Sequence, residues 1–475
     1  MVPAFAVNAA KLDSLFMHHM VLQRGKEIPV FGTARPGDPV EVLLGEEKRS
    51  VVTDPAGRWK IVFGAREASS FPVDIRACSG DGSDGVSDVL IGDVWLCTGQ
   101  SNMDSSVKDY SELAAQLKNT ANPLVRLFNV RGTMKKDPQS RVLGEPLYEQ
   151  SWLVAEPASI AEFSAVGICF GLKMQQELGV PVGLVESAVG ATAIEAWLPA
   201  ETLAKLGHPY TPLVVKNKPI VEARNQPSEL YNGMIHPLLP MKYKGIIWYQ
   251  GEANAREYQY YAESFKALIQ VWRERLGDPD VLFYFAQLSA YGKVPDKIWA
   301  HMREAQEQAL ELPSTGRIVT IDLGEYGYIH PADKAPVGER FARLALNDMG
   351  VKPFVGFPEY QAMKRLKDRI EITFRNAGEG LKTQRVVMNR NRGEPIRRDP
   401  QAFVVEAGTL QGFEIAGSNR VFVKATAEIT GKDTVQVWSD SVADPAEVRY
   451  AWDNFPLSNL FNSDGMPAAP FRTGN

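Results

Sequence analysis

Residues 93–103 read DVWLCTGQSNM, and this stretch decides the fold class of the chain. Its first five residues, DVWLC, form a continuous β-favouring run, as a strand buried on both faces requires. Directly after this run, Gly99, Gln100 and Ser101 form a tight polar turn in which the glycine permits a sharp backbone bend. A serine exposed on such a turn is a candidate nucleophile, although many serines after strands only cap helices.

Similar β-favouring runs recur at 181–186, 245–249, 281–287 and 317–322. Between them, apolar residues repeat at helical spacing over 163–178 and 265–276, and Gly179 and Gly277 follow as candidate helix ends. Alternation of strands and helices predicts an α/β fold with a mostly parallel sheet and helices on both faces.

The two ends of the chain have a different sequence pattern, in which short apolar runs are separated by Gly, Pro and Asp. These patterns predict an N-terminal β-sandwich over 1–92, an α/β core over 93–354, and a C-terminal β-domain with an irregular tail over 355–475. The stretch SGDGSDGVSD, residues 79–88, is expected to be a loop or the end of the first domain.

Composition excludes several classes of protein. The chain has 475 residues, 44% of them hydrophobic, and a net charge of −5, so it offers no basic surface for nucleic acid or anionic membranes. No apolar run is long enough to span a bilayer, and the start of the chain lacks a signal-peptide pattern. The three cysteines form no CxxC pair, which argues against a structural zinc site. We nevertheless expect a periplasmic or secreted protein.

Three further strand ends carry polar, glycine-bearing turns. Because ligands bind at the carboxyl ends of strands in such sheets, these turns are expected to share one site. The backbone N–H of Gly190 and the side-chain amide of Asn254 are candidate donors to an oxyanion. His330 follows the last strand and is a candidate general base. Together with Ser101, these residues predict a Ser–His hydrolase.

The segments VWLCTGQSNM, ESAVGATAIEAWLP, KGIIWYQGEANA and DLGEYGYIHPADKAP resemble the sialate O-acetylesterase family, a branch of the SGNH hydrolases. The resemblance implies a flavodoxin-like core with flanking β-domains, hydrolysis of acetyl esters on sugars, and no metal or organic cofactor. Carried onto this chain, it implies Ser101 as the nucleophile and His330 as the base. It also implies an oxyanion hole formed by Ser101, Gly190 and Asn254.

The chain departs from the family pattern at one position. SGNH enzymes usually carry an aspartate three residues before the histidine, and this position is Gly327 here. The group that orients His330 is therefore Glu325, Asp322 or a backbone carbonyl. Glu325 is the first choice because it lies on the same loop as the histidine.

Candidate sugar-binding residues lie near these blocks, and each has a structural role as its alternative: Gln100, Glu252, Trp197, His236 and Arg303. The predicted substrate is an acetylated plant polysaccharide, such as xylan or xyloglucan oligosaccharides. The alternative substrate is a 9-O-acetylated sialic acid. An alternative from another class is a carbohydrate-binding protein whose core is inactive. A metal-dependent deacetylase is a weaker possibility because no ligand cluster is visible. The sequence leaves the oligomeric state open.

Overall fold

The computed structural model describes residues 9–80, 82–131, 133–142, 151–208, 219–388 and 402–474. Residues 1–8 lie outside this set. They belong to the predicted N-terminal domain and to the start of the chain, for which the sequence predicts no signal peptide. The chain divides into two compact units. The first comprises Met1–Lys108, Ala114–Trp248 and Ala267–Phe283, and the second comprises Asp109–Leu113, Tyr249–Lys266 and Tyr284–Asn475.

The first unit contains most of the parallel sheet. Its strands are β1 (Lys11–Leu12), β2 (Val21–Gln23), β3 (Ile28–Thr33), β4 (Pro39–Leu44), β5 (Glu47–Val52), β6 (Arg58–Phe63), β7 (Ser69–Ser79), β8 (Gly82–Gly99), β9 (Asn122–Asn129), β10 (Trp152–Ala155), β11 (Val182–Ala188) and β12 (Gly245–Tyr249), the last residue of which belongs to the second unit. Its helices are α1 (Ser101–Asp104), α2 (Ser111–Leu117, whose first residues belong to the second unit), α3 (Pro157–Ala161), α4 (Ala165–Leu178), α5 (Ala200–Leu206) and α6 (Pro219–Arg224).

The central strands of this unit lie in the order β10-β9-β11-β8-β12. Strand β11 pairs in parallel with both β8 and β9, whereas β10 pairs antiparallel with β9. Every residue of β11 is buried, as expected for a strand covered on both faces. Helix α4 ends at Gly179, whose φ of 68° lies in the left-handed region. The predicted α/β class with a mostly parallel central sheet is therefore confirmed.

The prediction of a loop at 79–88 is wrong, because most of these residues form strands. Strands β7 and β8 form an antiparallel ribbon in which Cys78 pairs with Ser83 and Arg76 with Gly85. The polar composition suggested a loop because the side chains of this ribbon are largely exposed. Strand β8 then continues through residue 92 to Gly99, so the predicted domain boundary falls inside one strand. The division into three domains stays a prediction.

The second unit contains the end of the sheet and the C-terminal β-region. Its helices are α7 (Tyr258–Leu276, which enters the first unit at Ala267), α8 (Ile298–Glu307) and α9 (Ala335–Asp348). Its strands are β13 (Leu282–Ala286, whose first two residues belong to the first unit), β14 (Thr315–Ile318), β15 (Glu359–Arg365), β16 (Arg369–Arg375), β17 (Lys382–Thr383), β18 (Val386–Met388), β19 (Phe403–Val405), β20 (Phe413–Ala416), β21 (Val423–Lys424), β22 (Thr426–Ile429), β23 (Thr434–Trp438), β24 (Glu447–Tyr450), β25 (Leu460–Phe461) and β26 (Phe471–Arg472).

The predicted strand at 317–322 is shorter than expected. Strand β14 ends at Ile318, and a short 3-10 turn, Ile321–Leu323, follows it. The Arg340 guanidinium explains the change, since it donates to the Val319 carbonyl at 2.6 Å and pairs with the Asp322 carboxylate. This backbone is therefore bonded to a side chain instead of a neighbouring strand.

The C-terminal region is β-rich, as predicted. Two four-stranded antiparallel sheets have the orders β15-β16-β23-β22 and β21-β20-β24-β26. Residues Ile370, Ile372 and Phe374 of β16 are buried at alternate positions, which is the pattern of a sheet with one face on a core. Among the described residues, no helix combines the length and apolarity needed to cross a membrane.

Candidate active site

The nucleophile candidate Ser101 lies where the central strand β8 ends. Gly99 has a φ of 133°, a conformation that favours glycine, and it turns the chain at the end of the strand. Ser101 is half-buried and begins the short helix α1. The Gln100 carbonyl closes this turn by accepting the N–H groups of Met103 at 2.7 Å and Asp104 at 3.0 Å. The backbone therefore holds the serine in a defined turn at the carboxyl end of the sheet.

Gly190 lies close to Ser101, and its role in an oxyanion hole stays a prediction. A Cβ atom added to Gly190 would lie 3.4 Å from the Ser101 Cβ atom and 3.7 Å from its Cα atom. The Gly190 N–H donates to the Asp104 Oδ2 atom at 2.9 Å. Sequence reasoning missed Asp104, although its position three residues after Ser101 places it on the same short helix.

In the second unit, a chain of buried hydrogen bonds orients Asn254. The Tyr261 hydroxyl donates to the Gln250 Oε1 atom at 2.8 Å, and the Gln250 Nε2 atom donates to the Asn254 Oδ1 atom at 2.8 Å. Since Asn254 Oδ1 is the acceptor here, the assignment leaves the Asn254 amide nitrogen as the donor end. These buried bonds fix the side chain of Asn254, and its role as an oxyanion donor stays a prediction.

His330 lies on the loop before α9 and is half-buried, with its ring centroid 5.1 Å from that of Tyr328. Glu325 is buried on the same loop, and its Oε1 atom accepts the Ala332 N–H at 3.0 Å. Asp322 instead binds Arg340 through both carboxylate oxygens, at 2.7 and 2.6 Å. This ion pair engages Asp322, and the choice among Glu325, Asp322 and a backbone carbonyl as the group that orients His330 stays a prediction.

A buried lysine follows the same loop and was not anticipated from the sequence. The Lys334 side chain is 1% exposed, and its Nζ atom lies 5.3 Å from the Tyr110 ring centroid and 5.7 Å from that of Tyr249. Burial, together with the charge of Glu252, raises the pKa of the Tyr249 hydroxyl, so this ring stays neutral. The two aromatic faces stabilise the ammonium group by cation–π attraction.

Two predicted sugar-binding residues are instead part of the core. Trp197 has no exposed surface, and its indole N–H donates to the Thr192 hydroxyl at 3.0 Å. Arg303 is 1% exposed, and its guanidinium donates to four backbone carbonyls, those of Leu288, Ser289, Asp453 and Asn454. A pyranose cannot stack on a fully buried ring, and a guanidinium that binds four carbonyls has a structural role. We therefore correct both assignments.

The other three sugar-binding candidates stay predictions. Gln100 is buried and closes the Ser101 turn through its carbonyl. Glu252 is half-buried at the start of a 3-10 turn. His236 is half-buried, and its Nδ1 atom donates to the Gln139 carbonyl at 2.8 Å, so Nε2 is the nitrogen that a ligand would meet.

A buried carboxyl group, Glu186, lies in β11 below the nucleophile turn. Its Oε2 atom accepts the Ser164 N–H at 3.0 Å and the Asn129 amide at 3.1 Å. Burial raises the pKa of this carboxyl well above its ordinary value, and the charge of Asp104 adds to the effect. Burial therefore favours the protonated form of Glu186, which ties β11 to β9 and to the start of α4.

This raised pKa has a consequence for stability. A carboxyl whose pKa is raised by folding contributes most stability below its unfolded pKa and loses that contribution as the pH rises toward the folded pKa. We expect Glu186→Gln to become more stable relative to the parent between pH 5 and pH 7, by up to about 1.4 kcal/mol per pH unit. Urea unfolding of both proteins at three pH values measures the difference. Glu162→Gln on the surface is the control, and a difference that does not change with pH would contradict the expectation.

The two units divide the predicted site residues between them. The first unit contains Gln100, Ser101, Gly190, Trp197 and His236, and the second contains Glu252, Asn254, Arg303, Glu325 and His330. In the described part of the chain, no group of three or more His, Cys, Asp or Glu side chains is placed to hold a metal ion.

Comparisons with known proteins show which proteins this chain is similar to. Residues 91–347 match the family model described as carbohydrate esterase, sialic acid-specific acetylesterase, and all ten site candidates lie in this range. The chain is 32% identical to the sialate O-acetylesterase of Mus musculus over 394 residues, covering 70% of this chain and 72% of that protein. Identity to the human sialate O-acetylesterase is also 32%, over 70% of this chain and 69% of that protein. A carbohydrate acetylesterase from Xanthomonas citri has a similar structure, with a TM-score of 0.85 and 35% identity over 98% of this chain and 100% of that one.

Proposed function

Because the chain belongs to the sialic acid-specific acetylesterase family of carbohydrate esterases, we propose that it removes O-acetyl groups from sialic acid by a serine mechanism. The protein is an esterase, and an acetylated carbohydrate is its class of substrate. One observation carries the mechanistic part: the backbone of Gly190 packs against Ser101 at the end of the central strand. A glycine backbone close to a serine on a strand-end turn supports acyl transfer, and a flavodoxin-like SGNH core is the fold we propose for it.

In the proposed reaction, His330 accepts the hydroxyl proton of Ser101 while the serine oxygen attacks the acetyl carbonyl. The N–H groups of Ser101 and Gly190 and the amide of Asn254 stabilise the tetrahedral oxyanion. His330 then returns the proton to the departing sugar oxygen, which leaves acetyl bound to Ser101. Water activated by His330 attacks this ester, releases acetate and restores the serine.

Sialic acid replaces plant polysaccharide as the preferred substrate. The mouse and human relatives are sialate O-acetylesterases, and the family description is specific to sialic acid. The Xanthomonas citri protein, which is similar over nearly the whole chain, is described only as a carbohydrate acetylesterase. We therefore place the ester on sialic acid, with the 9-O-acetyl group as the first to test.

Acetate release tests the proposal. The enzyme is incubated with 9-O-acetyl sialic acid, acetylated xylan and acetylated xyloglucan oligosaccharides at equal acetyl concentration. We expect the highest kcat/KM on the sialic acid. A higher value on either plant glycan would overturn the sialate assignment but not the esterase. Binding of glycan without acetate release from any substrate would favour the inactive carbohydrate-binding alternative.

The oriented amide of Asn254 gives a further expectation. Asn254→Ala removes one proposed oxyanion donor, so kcat for acetate release should fall by about 10²–10³ with little change in KM. Gln250→Leu leaves the donor in place but removes the hydrogen bond that orients it, so its loss should be smaller. Steady-state kinetics on 9-O-acetyl sialic acid measures both variants. Parent-like kcat in Asn254→Ala would remove this residue from the oxyanion hole.

A further inference from the structure

The N–H group of Gly190 is bound to a carboxylate from the nucleophile's own helix. It donates to the Asp104 Oδ2 atom at 2.9 Å, and Asp104 is the last residue of the four-residue helix that Ser101 begins. The proposed mechanism assigns this same N–H to the oxyanion. The contact therefore joins a candidate oxyanion donor to the segment that carries the nucleophile.

The packing around this contact is tight. A Cβ atom on Gly190 would lie 3.4 Å from both the Asp104 Oδ2 atom and the Ser101 Cβ atom. The next residue, Ala191, has a φ of 60°, a left-handed conformation that is strained for a non-glycine residue. A backbone with this strain needs an anchor to keep its shape. The hydrogen bond to Asp104 is such an anchor.

Asp104 is itself held in place. The Ser164 hydroxyl donates to the Met103 carbonyl at 2.6 Å, and the Ala165 N–H donates to the Ser105 carbonyl at 2.9 Å. These bonds fix the helix that carries Asp104 to the start of α4. Burial raises the pKa of the nearby Glu186 carboxyl, and the charge of Asp104 adds to the effect. A hydrogen bond to a charged acceptor is about twice as strong as one between neutral groups.

We infer that Asp104 is a positioning residue of the esterase reaction, which holds the Gly190 N–H beside Ser101 until the oxyanion forms. The inference rests on the proposed function. Without Asp104, the strained turn at Ala191 relaxes and the Gly190 N–H moves away from the position where the oxyanion develops. Substrate binding does not depend on this N–H, since the charge appears only in the transition state.

The test compares three variants of the full chain on p-nitrophenyl acetate and 9-O-acetyl sialic acid. Asp104→Ala should lower kcat by about 10- to 100-fold with KM within about twofold of the parent, less than the loss for removing a donor outright. Asp104→Asn keeps an oxygen that accepts the Gly190 N–H, so it should recover most of the activity. Glu162→Ala, which removes a surface carboxylate near the same segment, should match the parent.

Three results would overturn the inference: parent-like kcat in Asp104→Ala, an increase in kcat, or a loss that appears only in KM. If Asp104→Ala does not fold, Asp104→Glu and Asp104→Asn decide the question. Asp104→Glu moves the carboxylate by one methylene and should lose activity, whereas Asp104→Asn should retain it, and the reverse order contradicts positioning. Ser101→Ala tests the proposed serine mechanism separately from the positioning role of Asp104. Full activity of Ser101→Ala would refute the serine mechanism itself.

Discussion

Ser101→Ala is expected to lower kcat for acetate release by about 10⁴- to 10⁶-fold. The reason is that alanine has no oxygen to attack the acetyl carbonyl, so no acyl-enzyme forms. The remaining activity would come from the oxyanion donors and substrate binding alone. Acetate release at saturating 9-O-acetyl sialic acid measures kcat directly, and the effect should be the same on p-nitrophenyl acetate because the nucleophile serves every ester.

A neighbouring serine supplies the matched control. Ser106 is half-buried, and its hydroxyl lies 3.4 Å from the Glu162 carbonyl, so Ser106→Ala should leave kcat unchanged. A fluorophosphonate probe adds an independent readout, since it should label the parent at Ser101 and should not label Ser101→Ala. A kcat within about tenfold of the parent in Ser101→Ala is incompatible with a nucleophilic role for this serine.

The elements that the sequence predicts best are those whose stability is local and whose burial is complete. Strand β12 was predicted to the residue, because GIIWY is a continuous apolar run. Helix α4 ends at its predicted glycine for an equally local reason, the left-handed conformation of Gly179. The first half of β8 could not be recognised, since its polar residues form a strand only by pairing with β7.

The site residues differ in the same way: some depend on a short stretch of sequence, and others depend on contacts between residues far apart in the chain. Ser101 and Gly190 are predicted as site residues because a glycine-bearing turn after a strand is visible in the sequence. Asp104 was missed because its bond joins residues that are 86 positions apart. Trp197 and Arg303 were assigned to the sugar because residue type alone does not distinguish a buried side chain from an exposed one. Which groups are buried, and what they bind, depends on tertiary packing.

The second large effect is expected at His330. His330→Ala removes the proposed base, so kcat should fall by about 10⁴- to 10⁶-fold, as for the serine it activates. The parent should show a pH–rate profile with a limb near neutrality, where histidine titrates, and the variant should lose it. Rates of acetate release from pH 5 to pH 9 measure the profile. A retained limb would assign the titrating base to another group.

The partner of His330 is decided by comparing two carboxylates on the same loop. Glu325→Gln should lower kcat by up to about 10⁴-fold if its charge orients the imidazole. Asp322→Asn should mainly lower the Tm, because it weakens the ion pair with Arg340 at 2.6 and 2.7 Å. Since both variants keep side-chain volume, a difference between them reports charge and not packing. Parent-like kcat in both Glu325→Gln and Asp322→Asn would leave a backbone carbonyl as the acceptor, and the chain would then hydrolyse esters with a Ser–His pair that needs no third acid.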